Sequence, residues 1–302
     1  MIAFLVSVFV LCFPVMAHAE SSKPAVVVVP VADVWSRPLA AGEKPTDELR
    51  ETQVLFGEKV LIHESSGPWV RIEAVEQPEF THHNKWEGYP GWVLQTTLGD
   101  DEPSKNSQLT EKSWEFVPGY RTELPIGARI FEDSMSPELI PPLNVKKILE
   151  TADLFKGVHY LWGGLTPGNP PLPKTPMDSG LQSAGTTPSQ YGVDCSGLTY
   201  LAFHVNGVAI PRDAYEQWMK AKPIKRAELK PADLIFSSKI ENPKKITHVA
   251  LYAGNGQIIE APQGGMVVRK ISFKDKYGKP LEAVESGDQV GDRVVYFGSF
   301  LH

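Results

Sequence analysis

The chain has 302 residues, with 30 Lys and Arg against 36 Asp and Glu for a formal net charge of -6 at pH 7. It offers no broad basic surface for a phosphate backbone, so nucleic acid is not an expected partner. At 42% hydrophobic and 22% charged residues the composition excludes a disordered chain, and 26 Pro with 25 Gly disfavour an all-helical one.

Met1 to Ala19 is an apolar run closed by Ala17-His18-Ala19. Small residues at Ala17 and Ala19 fit a signal-peptidase site, so the sequence predicts export to a periplasmic, extracellular or cell-wall location after cleavage behind Ala19. No later stretch is long and apolar enough to span a bilayer, so no membrane association is expected after cleavage. Cys12 follows Leu11, where lipidation needs a small residue. Cleavage therefore leaves Cys195 without a disulfide partner in an oxidising compartment.

Residues 20 to 98 read as a small β domain. Short strand-like runs at Val26 to Val29, Gln53 to Leu61, Trp69 to Glu73 and Gly91 to Leu94 are separated by turn residues. Residues 99 to 143 are polar and Pro-rich and read as a linker. The second domain, 144 to 302, opens with a helix over Asn144 to Phe155, stopped at Gly157. Leu165 to Val193 has little periodicity and is expected to be a long loop. A helix from Cys195 towards Val205 and a short one near Asp213 to Lys220 follow. Strands are then expected at Asp233 to Phe236, His248 to Tyr252, Gln257 to Ala261, Val267 to Ile271 and Arg293 to Phe297. Helices first and an antiparallel sheet later define an α+β class.

The chemistry centres on Asp194-Cys195-Ser196-Gly197, which sets the thiol at the first turn of a predicted helix. Free amides and the helix dipole there favour a thiolate nucleophile, although a lone Cys is also often an inert core thiol. A nucleophilic Cys needs a proton acceptor, and His248 at the start of a strand is the leading candidate base. His159, beside Tyr160 and Trp162, is its competitor, whereas His63, His82, His83, His204 and His302 lie in poorer contexts. No Cys/His cluster has zinc spacing, and neither a metal nor another cofactor is expected. Arg212 and Asp213 either contact a substrate carboxylate or pair with each other, the second being the simpler expectation.

Several ordered motifs resemble the NlpC/p60 family of papain-like cell-wall cysteine peptidases. They are Tyr160-Leu161-Trp162-Gly163-Gly164, Asp194-Cys195-Ser196-Gly197-Leu198, Ile210-Pro211-Arg212-Asp213-Ala214, Pro231-Ala232-Asp233-Leu234-Ile235-Phe236 and His248-Val249-Ala250-Leu251-Tyr252-Ala253-Gly254. Asp33-Val34-Trp35, Val54-Leu55-Phe56-Gly57, Trp69-Val70-Arg71-Ile72 and Gly91-Trp92-Val93 are similar to a bacterial SH3-like barrel. The resemblance implies a papain-like domain behind that barrel, cleaving γ-D-glutamyl bonds to a diamino acid in peptidoglycan stem peptides or muropeptides. It also implies a third polar residue orienting the His. That position, a His in many members, is Glu260 here, with Gln263 in reserve; a solvated strand residue is the bland alternative.

Members acting on peptides with a free N-terminal L-Ala are most similar in the barrel segments Glu51-Thr52-Gln53 and Gly88-Tyr89-Pro90-Gly91-Trp92. Carried over, the amine subsite comprises Glu51, Tyr89 and Asp194, lined by Ser196 and Tyr160. A surface charge at Glu51 and a packed aromatic at Tyr89 are the structural alternatives. A monomer is expected. The competing functional readings are a wall-binding module with an inactive papain-like domain, and an amidase or acyltransferase acting on another amide bond.

Overall fold

The computed structural model describes residues 22–100, 107–117, 122–131, 143–169 and 190–301. The expected leader with its Ala19 site, His302 and residues 170–189 of the expected loop lie outside them. No helix among the described residues is long and apolar enough to cross a membrane.

The N-terminal lobe is an antiparallel sheet of β1 (Lys23–Val27), β2 (Val31–Trp35), β3 (Arg50–Leu55), β4 (Lys59–Ser66), β5 (Trp69–Glu79), β6 (Glu87–Leu94) and β7 (Leu98–Asp100). Its order is β3-β2-β6-β5-β4-β1-β7. Among the described residues no β3–β7 pairing closes it into a barrel. Alternation sets the inner face, with Val70, Ile72 and Ala74 of β5 packing on Val34, Val54, Val60 and Val93. The run Gln53 to Leu61 is not one strand. Gly57, at φ +77°, turns the chain between β3 and β4, and a Cβ there would lie 2.3 Å from the carbonyl oxygen of Arg129.

The segment expected to be a linker carries four short strands, β8 (Ser107–Leu109), β9 (Trp114–Val117), β10 (Thr122–Pro125) and β11 (Arg129–Phe131). They pair as β9–β10 and β8–β11. Val117, Leu124, Ala128 and Ile130 form a small cluster against Phe56. The Arg129 guanidinium reaches Glu76 at 2.6 Å, docking this segment onto the N-terminal sheet. Runs this short carry too few alternations to stand out from a Pro-rich background.

The C-terminal lobe begins with α1 (Val145–Asp153), capped by Asn144 accepting from the amides of Lys146 and Lys147. It continues through α2 (Cys195–His204), α3 (Ala214–Lys220), β12 (Lys222–Pro223), β13 (Leu234–Lys239), β14 (Ile246–Gly254), β15 (Gln257–Glu260), β16 (Arg269–Ser272), α4 (Phe273–Tyr277), β17 (Gln289–Val290) and β18 (Arg293–Ser299). The antiparallel order is β12-β18-β13-β14-β15-β16, with β17 added on β18. Leu234 and Phe236 of β13 pack under α1 and α2 with Ile148, Ala152 and Leu201, while Ile235 faces the layer of Phe273 and Tyr277. Both faces of the central strands are therefore covered, which is why β13 reads as a continuous apolar run. The α+β expectation holds for this lobe. The additions β12, β17 and α4 are too short for a periodic signal.

Candidate active site

Asp194 begins α2. Its Oδ1 accepts from the amide of Gly197 at 2.6 Å, capping the helix so that Cys195 falls in the first turn. Gly197 must lack a side chain, because a Cβ there would stand 2.4 Å from the Gly164 carbonyl oxygen. The Trp162-Gly163-Gly164 turn is thereby pressed against the helix start, and the Gly163 amide donates to Asp194 Oδ2 at 2.9 Å.

Cys195 is buried, and the amides of Val249 and Ser196 favour its ionised form. Burial, followed by the Asp194 charge, pushes the thiol up to about 12, against those amides and Arg212. The helix start alone was expected to favour a thiolate. It does not do so here because burial disfavours the charged sulfur and the residue that caps the helix is itself an anion.

His248 lies on β14 next to Val249, which shares a core cluster with Cys195. It faces Ser237 across β13, and the β13–β14 register shifts between Ser237 and Ser238. His248 Nε2 is 2.8 Å from Glu260 Oε2. Glu260 has no solvent exposure and also accepts from Arg269, at 3.0 and 2.8 Å, and from Lys276 at 2.7 Å. Burial pushes Glu260 up, but His248 and then Lys276 outweigh it and hold the carboxylate at about 2. Burial pushes His248 below its ordinary value, with Glu260 pulling it back. These shifts favour a resting neutral thiol and neutral imidazole, with a carboxylate ready to stabilise an imidazolium. The Gln263 side chain is exposed, and the competing His159 is an exposed residue bridged to Val267.

Arg212 has no solvent exposure, and its donors are taken within the protein. Nη1 donates to Asp194 Oδ1 and Ser196 Oγ, each at 3.1 Å, Nη2 to Asp194 Oδ2 at 2.9 Å, and Nε to Thr52 Oγ1 of the N-terminal lobe at 2.9 Å. Its expected partner Asp213 is farther away, at 3.7 Å. The pairing is thus mainly bidentate with Asp194, which leaves Arg212 no free fork for a substrate carboxylate. Ser196 Oγ also donates to Asp194 Oδ1 at 3.2 Å, so Asp194 and Ser196 are engaged as well.

Asp213 instead accepts from the Tyr89 hydroxyl at 2.9 Å, and burial pushes its carboxyl up to about 7 despite Arg212. Tyr89 is buried with its ring edge-on to His82 at 5.2 Å. His82 Nε2 lies 3.3 Å from Glu51 Oε2, and its Nδ1 lies 3.1 Å from Glu79 Oε2. Hydrogen bonds that His82 donates to Glu51 and then Glu79 raise it to about 10, so it is a cation at neutral pH. Tyr160 is half-buried, its ionisation opposed by burial and then by the Asp194 and Cys195 charges.

The geometry therefore brings together His248 with Glu260, Asp194 with Ser196 and Arg212, and Glu51 with Tyr89 around His82. Other functional-site residues escaped the sequence reading. Arg50, almost fully buried, bonds Asp33 at 2.9 Å and the Trp162 carbonyl at 3.2 Å. Gln53 accepts from the Leu165 amide at 2.9 Å, and Gln217 donates to the Ser196 carbonyl at 3.1 Å. Only Gln53, inside an otherwise apolar strand run, carried a local hint.

A buried thiol at the start of a helix packed against a strand whose His has a carboxylate partner fits a papain-like hydrolase site. The NlpC/P60 family profile matches residues 157–282. The gamma-D-glutamyl-L-lysine dipeptidyl-peptidase of Bacillus subtilis is 30% identical over 79% of this chain and 81% of its own length. The enzyme of the same name from Bacillus cereus is 28% identical over 86% and 90%. The crystal structure of an NlpC/P60 family protein from B. cereus matches 93% of this chain and all of its own with a TM-score of 0.69 at 20% identity, a likeness of fold. The chain belongs to the NlpC/P60 family of cysteine peptidases, and its C-terminal lobe is the family's papain-like domain.

Proposed function

We propose that this protein is an exported endopeptidase that hydrolyses the γ-D-glutamyl–diamino acid bond of peptidoglycan stem peptides bearing a free N-terminal L-Ala. The observation that carries the reading is the 2.8 Å His248–Glu260 hydrogen bond, its His on β14, the strand packed against the helix that Cys195 opens. In this reading His248 takes the Cys195 proton as sulfur attacks the γ-carbonyl carbon, and the helix-start amides stabilise the oxyanion. His248 then returns the proton to the departing amine, leaving a thioester on Cys195. Water deprotonated by the same imidazole cleaves the thioester, and Glu260 holds the ring throughout. The names of the two Bacillus relatives support the bond chosen.

The N-terminal lobe, residues 20 to 98, serves in this proposal as an SH3-like module, joined through 99 to 143 to the catalytic domain at 144 to 302. Glu51 and Tyr89 receive the substrate ammonium beside Tyr160. Asp194 and Ser196, saturated by Arg212, shape that subsite, and Asp213 orients the Tyr89 hydroxyl. A desolvated ammonium needs a carboxylate with free lone pairs, and Glu51 is only half-buried. The test is incubation with L-Ala-γ-D-Glu-diaminopimelate and its N-acetylated form, with products followed by mass. Cleavage of the free peptide alone is expected. Equal cleavage of both would remove the amine subsite, and cleavage of neither would remove the proposed bond.

A further inference from the structure

At the turn end of the β5–β6 hairpin Glu79 and Glu87 face each other in register, and the connection between them carries His82 and His83. Glu79 has no solvent exposure. Its Oε2 accepts from the His82 amide and lies beside His82 Nδ1, each at 3.1 Å, while its Oε1 is buried without a hydrogen-bond partner among the described residues. A buried carboxylate oxygen with unfilled lone pairs is costly, and the His82 imidazolium reaches only the other oxygen of Glu79. His83 Nδ1 contacts Glu87 Oε1 across the same corner. One ligand atom from each of Glu79, His83 and Glu87 lies within 4.8 Å of the others.

We propose that Glu79, His83 and Glu87 bind a divalent transition-metal ion, Zn2+ foremost. One imidazole and two carboxylates are a donor set that Zn2+ accepts, whereas Ca2+ favours all-oxygen shells. Ligand bonds of about 2.1 Å in a tetrahedron put neighbouring donor atoms about 3.4 Å apart, so the site completes when His83 and Glu87 part slightly to admit the ion between them. Three protein ligands leave the fourth position to water, and the exposed His83 provides the entry side. Lys85, 2.8 Å from Glu87 Oε2, neutralises that carboxylate in the empty site. The same connection holds Thr81, which donates to Glu216 on α3 at 2.6 Å, and His82, which meets Glu51. A bound ion would therefore brace the connection that spans the two lobes, independently of the proposed substrate.

The test is calorimetric titration of Zn2+ into the chelator-stripped full chain carrying Cys195→Ser, so that the thiol does not compete, with thermal unfolding recorded in parallel. One equivalent is expected, with a rise in Tm. His83→Ala and Glu87→Gln, both at non-core positions, should each weaken binding at least tenfold and abolish the Tm rise, while His63→Ala leaves both intact. No saturation by roughly 1 mM Zn2+ would overturn the site, as would binding undiminished in His83→Ala or lost only in His63→Ala, or a preference for Ca2+.

Discussion

Two polar groups meet around the start of α2, and they differ in how completely they are satisfied. Around Arg212 the fork of donors is filled by Asp194, Ser196 and Thr52, so each charge has its partner and the cluster behaves as a strut between the lobes. Around His248 the groups are shifted instead. The thiol is held up, the imidazole down and Glu260 far down, so a proton has somewhere to go once a substrate arrives. Saturation makes scaffold and imbalance makes chemistry, although both clusters are buried and both contain a carboxylate.

Breaking each cluster should separate the two roles. His248→Ala should lower kcat/KM on the order of 10²–10⁴-fold. It should move the urea midpoint little, because Glu260 keeps Arg269 and Lys276. Arg212→Met should do the reverse, destabilising by about 3–5 kcal/mol by leaving Asp194 buried and unpaired, and converting Asp194 to Leu in the same chain should recover part of that loss. Glu260→Gln should reduce kcat/KM by up to about 10⁴-fold. Because Glu260 raises His248, its loss should also move the acid limb of the pH–rate profile to lower pH, which a purely structural role would not do.

Much of this was legible in the sequence. Cys195, His248 and Glu260 sit on elements whose periodicity was readable, and the glycine-rich turns were visible as motifs. The role of Arg212 was not, because its neighbour Asp213 is the obvious partner in the chain while Asp194 is the partner in space. Arg50 and His82 were missed for the same reason, their partners Trp162 and Glu51 being distant in sequence. The four strands between 107 and 131 were too short to announce themselves. The thiol's raised pKa depends on burial and on the capping carboxylate, neither of which a helix-start argument contains.

Smaller effects sharpen the same contrast. Asp213, Glu58 and His82 are raised to about 7, 8 and 10, the carboxyls first by burial and the imidazole by its Glu51 and Glu79 hydrogen bonds. A group with a raised folded pKa stabilises below its unfolded value and loses that contribution as pH rises through the folded one. Glu260, held at about 2, acts oppositely and is lost only as pH falls below the ordinary Glu range. Tm should therefore peak near pH 4 and decline towards pH 9, and Asp213→Asn should flatten the portion between about pH 4 and 7. Tyr89→Phe removes one hydrogen bond to Asp213 and should cost about 1 kcal/mol in urea unfolding.

The central claim is that Cys195 forms the covalent intermediate in a site whose scaffold stands without it. Its most direct test is acid quenching of the protein during turnover of L-Ala-γ-D-Glu-diaminopimelate, followed by mass analysis of the intact chain and its peptides, beside the Cys195→Ala variant. The account predicts an L-Ala-D-Glu acyl adduct on the peptide containing Cys195, and a variant that folds with an unchanged urea midpoint but releases no diaminopimelate. Release of diaminopimelate by the variant, or an adduct on any other residue, would contradict it.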